Sequence, residues 1–234
     1  MYTEYNNLSS SDYCNMIPKM KEQVMSRNKN ERVKKEVFVS MDIEADGPFP
    51  GLNSMLSIGY AAFVDGEEQP VSTFYRNLEL LPGATQSEKT MNEFWFRDEQ
   101  HRKMYDRTRV DMISPPHFVD DFIEWRNTNF PSKDWDMTVV CYPLAFDWKW
   151  PDYYFCRYHG ENPLGFSRAI DIKSYVYARL GTRWVKTTKR YMPKRWFSDL
   201  PHTHDALDDA IEQGMMFMNI RKEFMELGMI LDDK

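Results

Sequence analysis

The sequence predicts an α/β fold with a mixed sheet, in which three antiparallel strands come first and parallel strands separated by helices follow. Apolar, β-branched runs dominate from Lys35 to Leu80, and segments with helical periodicity alternate with short apolar runs after Ser87. The resulting order, βββαβαβα, is typical of a mixed sheet flanked by helices. The 234 residues, 42% of them hydrophobic, suffice for one domain with a full core.

The first three strands follow from the residue pattern. The run KKEVFVSMDIE is predicted to form a central strand that ends where the acidic residues begin. The stretch from Asn53 to Leu80 is predicted to contain two further strands, joined around Asp65-Gly66, a dipeptide that favours a hairpin turn. These strands form an antiparallel meander.

The later elements are mostly helical. Residues 87–109 are highly charged with a helical pattern, and Ser114 followed by Pro115 predicts the start of a helix over HFVDDFIEWRN. The elements predicted after it are a buried strand in DMTVVCYP, an aromatic helix ending near Gly160, a short strand and a helix ending at Gly181, and a last helix from Asp205 past Phe224.

Residues 1–35 are polar and mixed in charge, and they are predicted to be an N-terminal extension to a domain spanning 36–234. The sequence has no apolar run of membrane-spanning length and no signal-peptide pattern, so we expect a soluble, cytoplasmic protein. The three cysteines, Cys14, Cys141 and Cys156, lack disulfide or zinc spacing and are expected to be reduced.

Two carboxylates stand at the end of the first strand. Alternate strand residues point to the same face, so Asp42 and Glu44 lie side by side and could hold one metal ion or bridge two. Hard oxygen ligands suit magnesium or manganese. For an isolated pair of this kind, a solvated strand end is the better interpretation.

Three further residues could complete a site. Asp147 follows the apolar strand VVCY, where it could reach the same sheet edge or cap a helix. His204 and Asp209 bracket the start of the last helix, and a histidine with a pKa near 6.5 can accept a proton at neutral pH. The competing interpretation of His204 is a loop histidine without a role, and His202 and Asp208 beside the pair are assigned none.

The segments DIEADG, FDW and HTHDALDDA together resemble the three motifs of the DEDDh family, the DnaQ-like and RNase T-like 3'-5' exonucleases, over about residues 37–224. The resemblance implies a ribonuclease H-like fold and metal-dependent release of nucleoside 5'-monophosphates from the 3' end of single-stranded nucleic acid. It also implies that two Mg²⁺ or Mn²⁺ ions are bound by Asp42, Glu44, Asp147 and Asp209, with His204 as general base.

The same resemblance implies finer features. Ala45, Asp46 and Gly47 become candidate contacts to the terminal nucleotide, and a homodimer is a candidate assembly because RNase T-like relatives are often dimers. No motif determines whether the substrate is RNA or DNA, because pocket details read the 2'-hydroxyl, and we slightly favour RNA. Two departures stand out: Tyr142-Pro143-Leu144-Ala145 replaces a frequent His-Asn pair, and Asp46 replaces a frequent threonine. The first bears on the local loop shape, and the second adds a negative charge near the scissile end.

A basic run, RWVKTTKRYMPKR over Arg183–Arg195, contains no acidic residue although the whole chain carries a net charge of −6. With the aromatic residues Trp184, Tyr191 and Trp196 it is predicted to follow a single-stranded backbone and stack its bases, with Lys189 and Arg190 as substrate contacts. A solvated surface loop is the competing interpretation. Other aromatic residues that could stack bases, or equally belong to the core, are Phe49, Phe94 and Trp95.

Two alternative functions remain open from the sequence. The first is a nucleic-acid-binding module of the same fold without catalysis, against which the intact set of acidic residues argues. The second is a metal-dependent hydrolase of a small phosphoester.

Overall fold

The structure, a computed structural model, describes residues 33–200 and 203–228. Three strands open the fold: β1 (Lys35–Ala45), β2 (Met55–Phe63) and β3 (Ser72–Asn77). β2 pairs antiparallel with both β1 and β3, as the meander predicts. Two further strands, β4 (Trp135–Cys141) and β5 (Ala169–Asp171), extend the sheet in parallel with β1. The order is β3-β2-β1-β4-β5, which confirms the predicted mixed sheet.

The charged stretch after Ser87 is helical but interrupted. It contains α1 (Glu88–Thr90), a π-helical turn over Met91–Trp95 and α2 (Glu99–Arg107). Asp98 is the N-cap of α2, because its carboxylate accepts a hydrogen bond from the His101 backbone N–H at 3.0 Å. The composition predicted helix here but not this break.

Except for a short helix over Leu144–Asp147, which was not predicted, the remaining helices match the predicted positions closely. They are α3 (Pro115–Asn129), α4 (Leu144–Asp147), α5 (Lys149–Tyr158), α6 (Ile172–Leu180) and α7 (Ala206–Glu226). Gly181 ends α6 with φ +56°, a left-handed conformation that favours glycine. The basic run forms three short 3₁₀ turns, over Trp184–Lys186, Lys189–Tyr191 and Lys194–Trp196.

Helices cover both faces of the sheet. On one face α3 and α5 bury an aromatic core that includes Phe118, Phe122 and Phe155. On the other face α7 crosses β1 and β2, and Phe217 packs against Phe38. α7 thereby brings its N-terminal end over the strand that carries Asp42 and Glu44.

The structure bears on the predicted N-terminal extension, on the cysteines and on membrane-spanning helices only where residues are described. Nearly all of the predicted extension, and Cys14 with it, lies outside the described residues. Cys141 is a buried free thiol and Cys156 an exposed one. Within 33–200 and 203–228, the structure contains no helix with the length and apolar character needed to span a bilayer.

Candidate active site

Asp42 and Glu44 lie on the central strand and point toward α7. In the β1–β2 ladder Asp42 is opposite Gly59 and Glu44 is opposite Ser57. A side chain on Gly59 would meet the backbone of Ala206 and Leu207, so this face of the sheet is the one that α7 covers. Glu44 is buried and Asp42 is partly exposed, which leaves an opening to solvent beside a largely dry pair of carboxylates.

Asp209 and His204 come to this pair from the start of α7. The Asp205 side chain caps the helix by accepting hydrogen bonds from the N–H groups of Leu207 and Asp208, at 3.0 and 3.3 Å. One turn later, the Asp209 carboxylate accepts hydrogen bonds from the backbone N–H groups of Thr203, at 2.9 Å, and His204, at 3.1 Å. Asp209 therefore shapes the loop that presents His204.

The three groups meet in space as predicted. Potential ligand atoms of Glu44, His204 and Asp209 all lie within 4.8 Å of one another. His204 has φ +55°, a left-handed conformation that is uncommon for a non-glycine residue and costs free energy. Its hydrogen bond to Asp209 helps to hold this conformation.

Asp147 belongs to the same electrostatic cluster but is not a helix cap. It is the last residue of α4 and only 3% exposed, and its Oδ2 has no hydrogen-bond partner in the part of the chain that the structure describes. Burial is the main cause that raises the pKa of Asp147, and the Asp171 carboxylate adds to it. A buried carboxylate oxygen without a partner is costly unless a cation or proton completes it.

Asp42 and Glu44 also lie where a cation would stabilise their negative charges. Burial raises the pKa of Asp42 well above its ordinary value, and the neighbouring carboxylates of Asp147, Glu44 and Asp209 raise it further. Burial likewise raises the pKa of Glu44, with Asp209 and Asp147 as the next causes. Carboxylate oxygens that repel one another in a dry pocket are the donor set that hard divalent cations take, so the residues present fit a metal centre.

His204 packs against two rings: Phe94, which the sequence offered as a base-stacking or core residue, and His101, which the sequence did not assign to the site. The Phe94 ring, presented by the π-helical turn, meets the imidazole at 5.1 Å with an interplanar angle of 86°. The His101 ring lies 5.9 Å away, and its Nδ1 is 2.7 Å from the Asp98 carboxylate. Phe94 thus supports His204. No sequence signal identifies His101, because it lies in a charged helix without a motif.

Trp95, the other aromatic residue of this segment, belongs to the core. It is fully buried, and its Nε1–H donates to the Ala45 carbonyl at 2.9 Å.

The residues after Glu44 form a tightly held loop. Ala45, Asp46 and Gly47 are all buried, and the Asp46 carboxylate turns inward to accept the Ser54 backbone N–H at 2.6 Å. A Cβ on Gly47 would lie 2.5 Å from the Asn53 side-chain nitrogen, so only glycine fits. The negative charge expected near the scissile end is therefore directed into the loop, which leaves backbone groups as the part that a nucleotide could contact.

The basic run differs from its prediction in two respects. Acidic residues of α7 compensate it: Glu212 pairs with Lys189, and Glu223 accepts two hydrogen bonds from Arg195 at 2.7 Å. Trp196 is 1% exposed and donates to Glu223, so its assignment as a stacking residue was wrong. Trp184 and Tyr191 are about half exposed, and Lys189 is close enough to Asp42 for its charge to lower the pKa of that carboxyl.

An exposed aromatic group lies beside Asp147. Lys149 lies between the rings of Phe49 and Phe146, with its Nζ 5.6 and 4.8 Å from their centroids, and it donates to the Pro48 carbonyl at 2.8 Å. Phe49 is 58% exposed and Phe146 37%. The sequence singled out Phe49 but not Phe146 or Lys149, because their proximity depends on how the loop after β1 folds against α4 and α5.

The fold is that of known DEDDh exonucleases. The nuclease domain of 3'hExo, a DEDDh family member solved with rAMP bound, aligns with a TM-score of 0.61 at 12% identity, over 86% of this chain and 98% of that domain. Exonuclease I of E. coli, in its zinc-bound complex with single-stranded DNA, aligns with a TM-score of 0.56 at 14% identity. That alignment covers 83% of this chain and 42% of exonuclease I.

With this fold and site, the chain belongs to the DEDDh family of 3'-5' exonucleases, as the motifs predicted. The 3'-5' DNA exonuclease Cap18 of Escherichia coli is 32% identical over 193 residues, which make up 82% of this chain and 95% of Cap18. No family model matches the sequence. Membership makes the protein a 3'-5' exonuclease acting on nucleic acid, and the two alternative functions are set aside.

Proposed function

We propose that this exonuclease removes nucleoside 5'-monophosphates one at a time from the 3' end of single-stranded DNA by a two-metal mechanism. The observation that carries the proposal is the convergence of Asp42, Glu44, His204 and Asp209 on one face of the sheet, with Asp147 electrostatically coupled to them. These residues come from three distant segments, and their mutual repulsion has no structural benefit of its own.

Each of the five residues is assigned a role in this proposal. Asp42, Glu44 and Asp209 would hold the ion that activates the attacking water, and Asp42 and Asp147 would hold the ion that stabilises the leaving 3' oxygen. When bound, the two Mg²⁺ or Mn²⁺ ions supply Lewis-acid activation of the water and stabilisation of the leaving oxygen. The His204 imidazole accepts the proton of the water, and its place beside Glu44 and Asp209 supports this role.

The surroundings of the site suggest how the strand is held. Backbone groups of Ala45, Asp46 and Gly47 contact the terminal nucleotide, and Lys189 and Arg190 contact phosphates. The Phe49 and Phe146 rings offer exposed faces on which bases stack. The sequence analysis slightly favours RNA without a motif that determines it, but the name of the 32% identical relative favours DNA, which we take as the substrate. A homodimer stays a prediction.

A time course on 5'-labelled single-stranded DNA and matched RNA tests the proposal, with Mg²⁺, Mn²⁺ or EDTA in parallel. We expect a metal-dependent ladder that shortens from the 3' end, faster on DNA, with nucleoside 5'-monophosphate as product. Asp42→Asn should reduce the rate by roughly 1,000-fold, equivalent to about 4 kcal/mol of transition-state stabilisation.

Asp120→Asn is the matched control, because Asp120 is an exposed aspartate on α3, away from the site. It should keep the wild-type rate. Full activity of folded Asp42→Asn, or an unchanged rate in EDTA, would contradict the mechanism. A faster ladder on RNA would reverse the substrate assignment alone.

A further inference from the structure

A second pocket lies at the opposite end of the sheet from the active site. It has a volume of about 200 Å³, and its lining includes Lys34, Arg126, Trp135, Asp136 and Arg168. Lys34 precedes β1, whereas Asp42 lies near the far end of that strand. At about 3.3 Å per residue, the two positions are separated by roughly 25 Å. The pocket is therefore not part of the catalytic centre.

The pocket carries an excess of positive charge. Among the described residues that line it, Lys34, Arg126 and Arg168 are cationic and Asp136 is the single acid. The Asp136 Oδ1 accepts from Arg168 Nη1 at 2.9 Å and lies 3.8 Å from Lys34 Nζ, so one carboxylate serves two cations. Formally, three positive charges and one negative charge leave an excess of two.

Arg126 is the cation that this arrangement leaves uncompensated. Its Nη1 donates to the Asn127 side chain at 3.0 Å, but its Nε is buried and has no hydrogen-bond partner within residues 33–200 and 203–228. Burial, followed by the nearby Arg168 guanidinium, lowers the pKa of Arg126. Two neighbouring guanidinium groups line the pocket, and one of them has a buried donor without a partner among the described residues. An anion would stabilise this arrangement.

We propose that this pocket binds a phosphate group through Arg126 and Arg168. The planar fork of donors on arginine matches phosphate oxygens, and the volume is below the 300–1,000 Å³ typical of sites for drug-sized molecules. The phosphate belongs either to a nucleic-acid strand or to a free nucleotide. The site is independent of the proposed catalytic mechanism, since none of its residues contributes to that centre.

Phosphate binding is measured by ³¹P NMR line broadening of inorganic phosphate in EDTA, at constant ionic strength. Without metal the active site presents repelling carboxylates, so binding there is suppressed. We expect wild-type protein to broaden the resonance, and Arg126→Gln and Arg168→Gln to weaken binding roughly tenfold or more. Arg157→Gln is the control, because Arg157 is exposed on α5 and does not line the pocket.

Competition then distinguishes the two sources of the phosphate. A single-stranded oligonucleotide that displaces inorganic phosphate from wild-type protein identifies a strand, and displacement by AMP alone identifies a free nucleotide. Either result supports the site if the Arg126→Gln variant no longer binds the phosphate that is displaced from wild-type protein. Phosphate bound equally by wild type and by both folded arginine variants, or by none of them, would overturn the proposal. If either Arg126→Gln or Arg168→Gln fails to fold, phosphate binding by the other variant tests the proposal.

Discussion

At the residue scale, the proposed active site consists of groups that the fold alone would not select. Asp147 is buried, and one of its carboxylate oxygens has no hydrogen-bond partner among the described residues. The negative charges of Asp42 and Glu44 repel each other and that of Asp147. His204 has a left-handed backbone. Such features lower stability and persist where function needs them. The metal-free protein should therefore gain stability when one of the charges is removed.

Asp147→Asn provides the test at this scale. The amide keeps the shape of the side chain but removes a buried negative charge, so the variant in EDTA should melt at a higher temperature than wild type. A gain of about 1 kcal/mol corresponds to roughly 2–4 °C for a protein of this size. Thermal unfolding followed by circular dichroism measures it, with Asp120→Asn as the control that should not change. A lower melting temperature for Asp147→Asn would show that its carboxylate stabilises the fold.

The sequence predicted individual site residues better than their contacts. The proximity of Glu44, His204 and Asp209 could be predicted because the motif resemblance groups them, and strand alternation indicates that Asp42 shares the face of Glu44. The pairing of Lys189 with Glu212, 23 residues later, could not be predicted, since it depends on how the 3₁₀ turns pack on α7. The burial of Trp196 was missed for the same reason.

At the element scale, the position of α7 determines the geometry of the site. Two glycines permit its close approach to the sheet: a Cβ on Gly59 would lie 2.5 Å from Leu207 Cα, and a Cβ on Gly214 would lie 2.8 Å from Ser40 Cβ. Gln213 adds a buried hydrogen bond to the Met41 carbonyl, at 2.7 Å. The added Cβ at position 59 would meet backbone atoms of Ala206 and Leu207, so a rotamer change could not relieve the contact.

Gly59→Ala should displace the start of α7 and move Asp209 and His204 away from Glu44. We expect a loss of roughly 1–3 kcal/mol of unfolding free energy and weaker metal binding by the folded fraction. Gly214→Ala is the matched control, because its methyl meets side chains of Phe63 and Ser40 farther along the helix. It should destabilise the fold without a comparable loss of metal affinity. Urea denaturation and Mn²⁺ titration by calorimetry separate the two effects, and equal Mn²⁺ affinity in both variants would contradict this account of α7.

At the scale of the whole molecule, the sheet separates two sites of opposite charge. The carboxylates lie toward one end of β1, and the cationic pocket lies at the other end. The sequence anticipated the first because its acidic residues follow motifs. It gave no signal for the second, since Lys34, Arg126 and Arg168 are scattered over more than 130 residues and meet only where β1, α3 and β5 converge.

The stability of the whole domain should depend on pH and on metal together. Burial and neighbouring carboxylates raise the pKa values of Asp42, Glu44 and Asp147 in the folded state, so the folded protein binds more protons than the unfolded chain above about pH 4. By linkage, their contribution to stability is fully present below that pH and is lost as pH rises through the folded pKa values. Metal ions bind the ionised carboxylates, so they should restore more stability at high pH than at low pH.

Melting temperatures at pH 6 and pH 8, each with EDTA and with Mn²⁺, measure this coupling. We expect the Mn²⁺-dependent rise in melting temperature to be larger at pH 8, where more of the carboxylates are ionised. Asp147→Asn should reduce both the pH dependence of the metal-free protein and the Mn²⁺ effect, because it removes one of the three shifted groups. An Mn²⁺ effect of the same size at both pH values, in wild type and variant alike, would mean that the cation stabilises the domain at some other place.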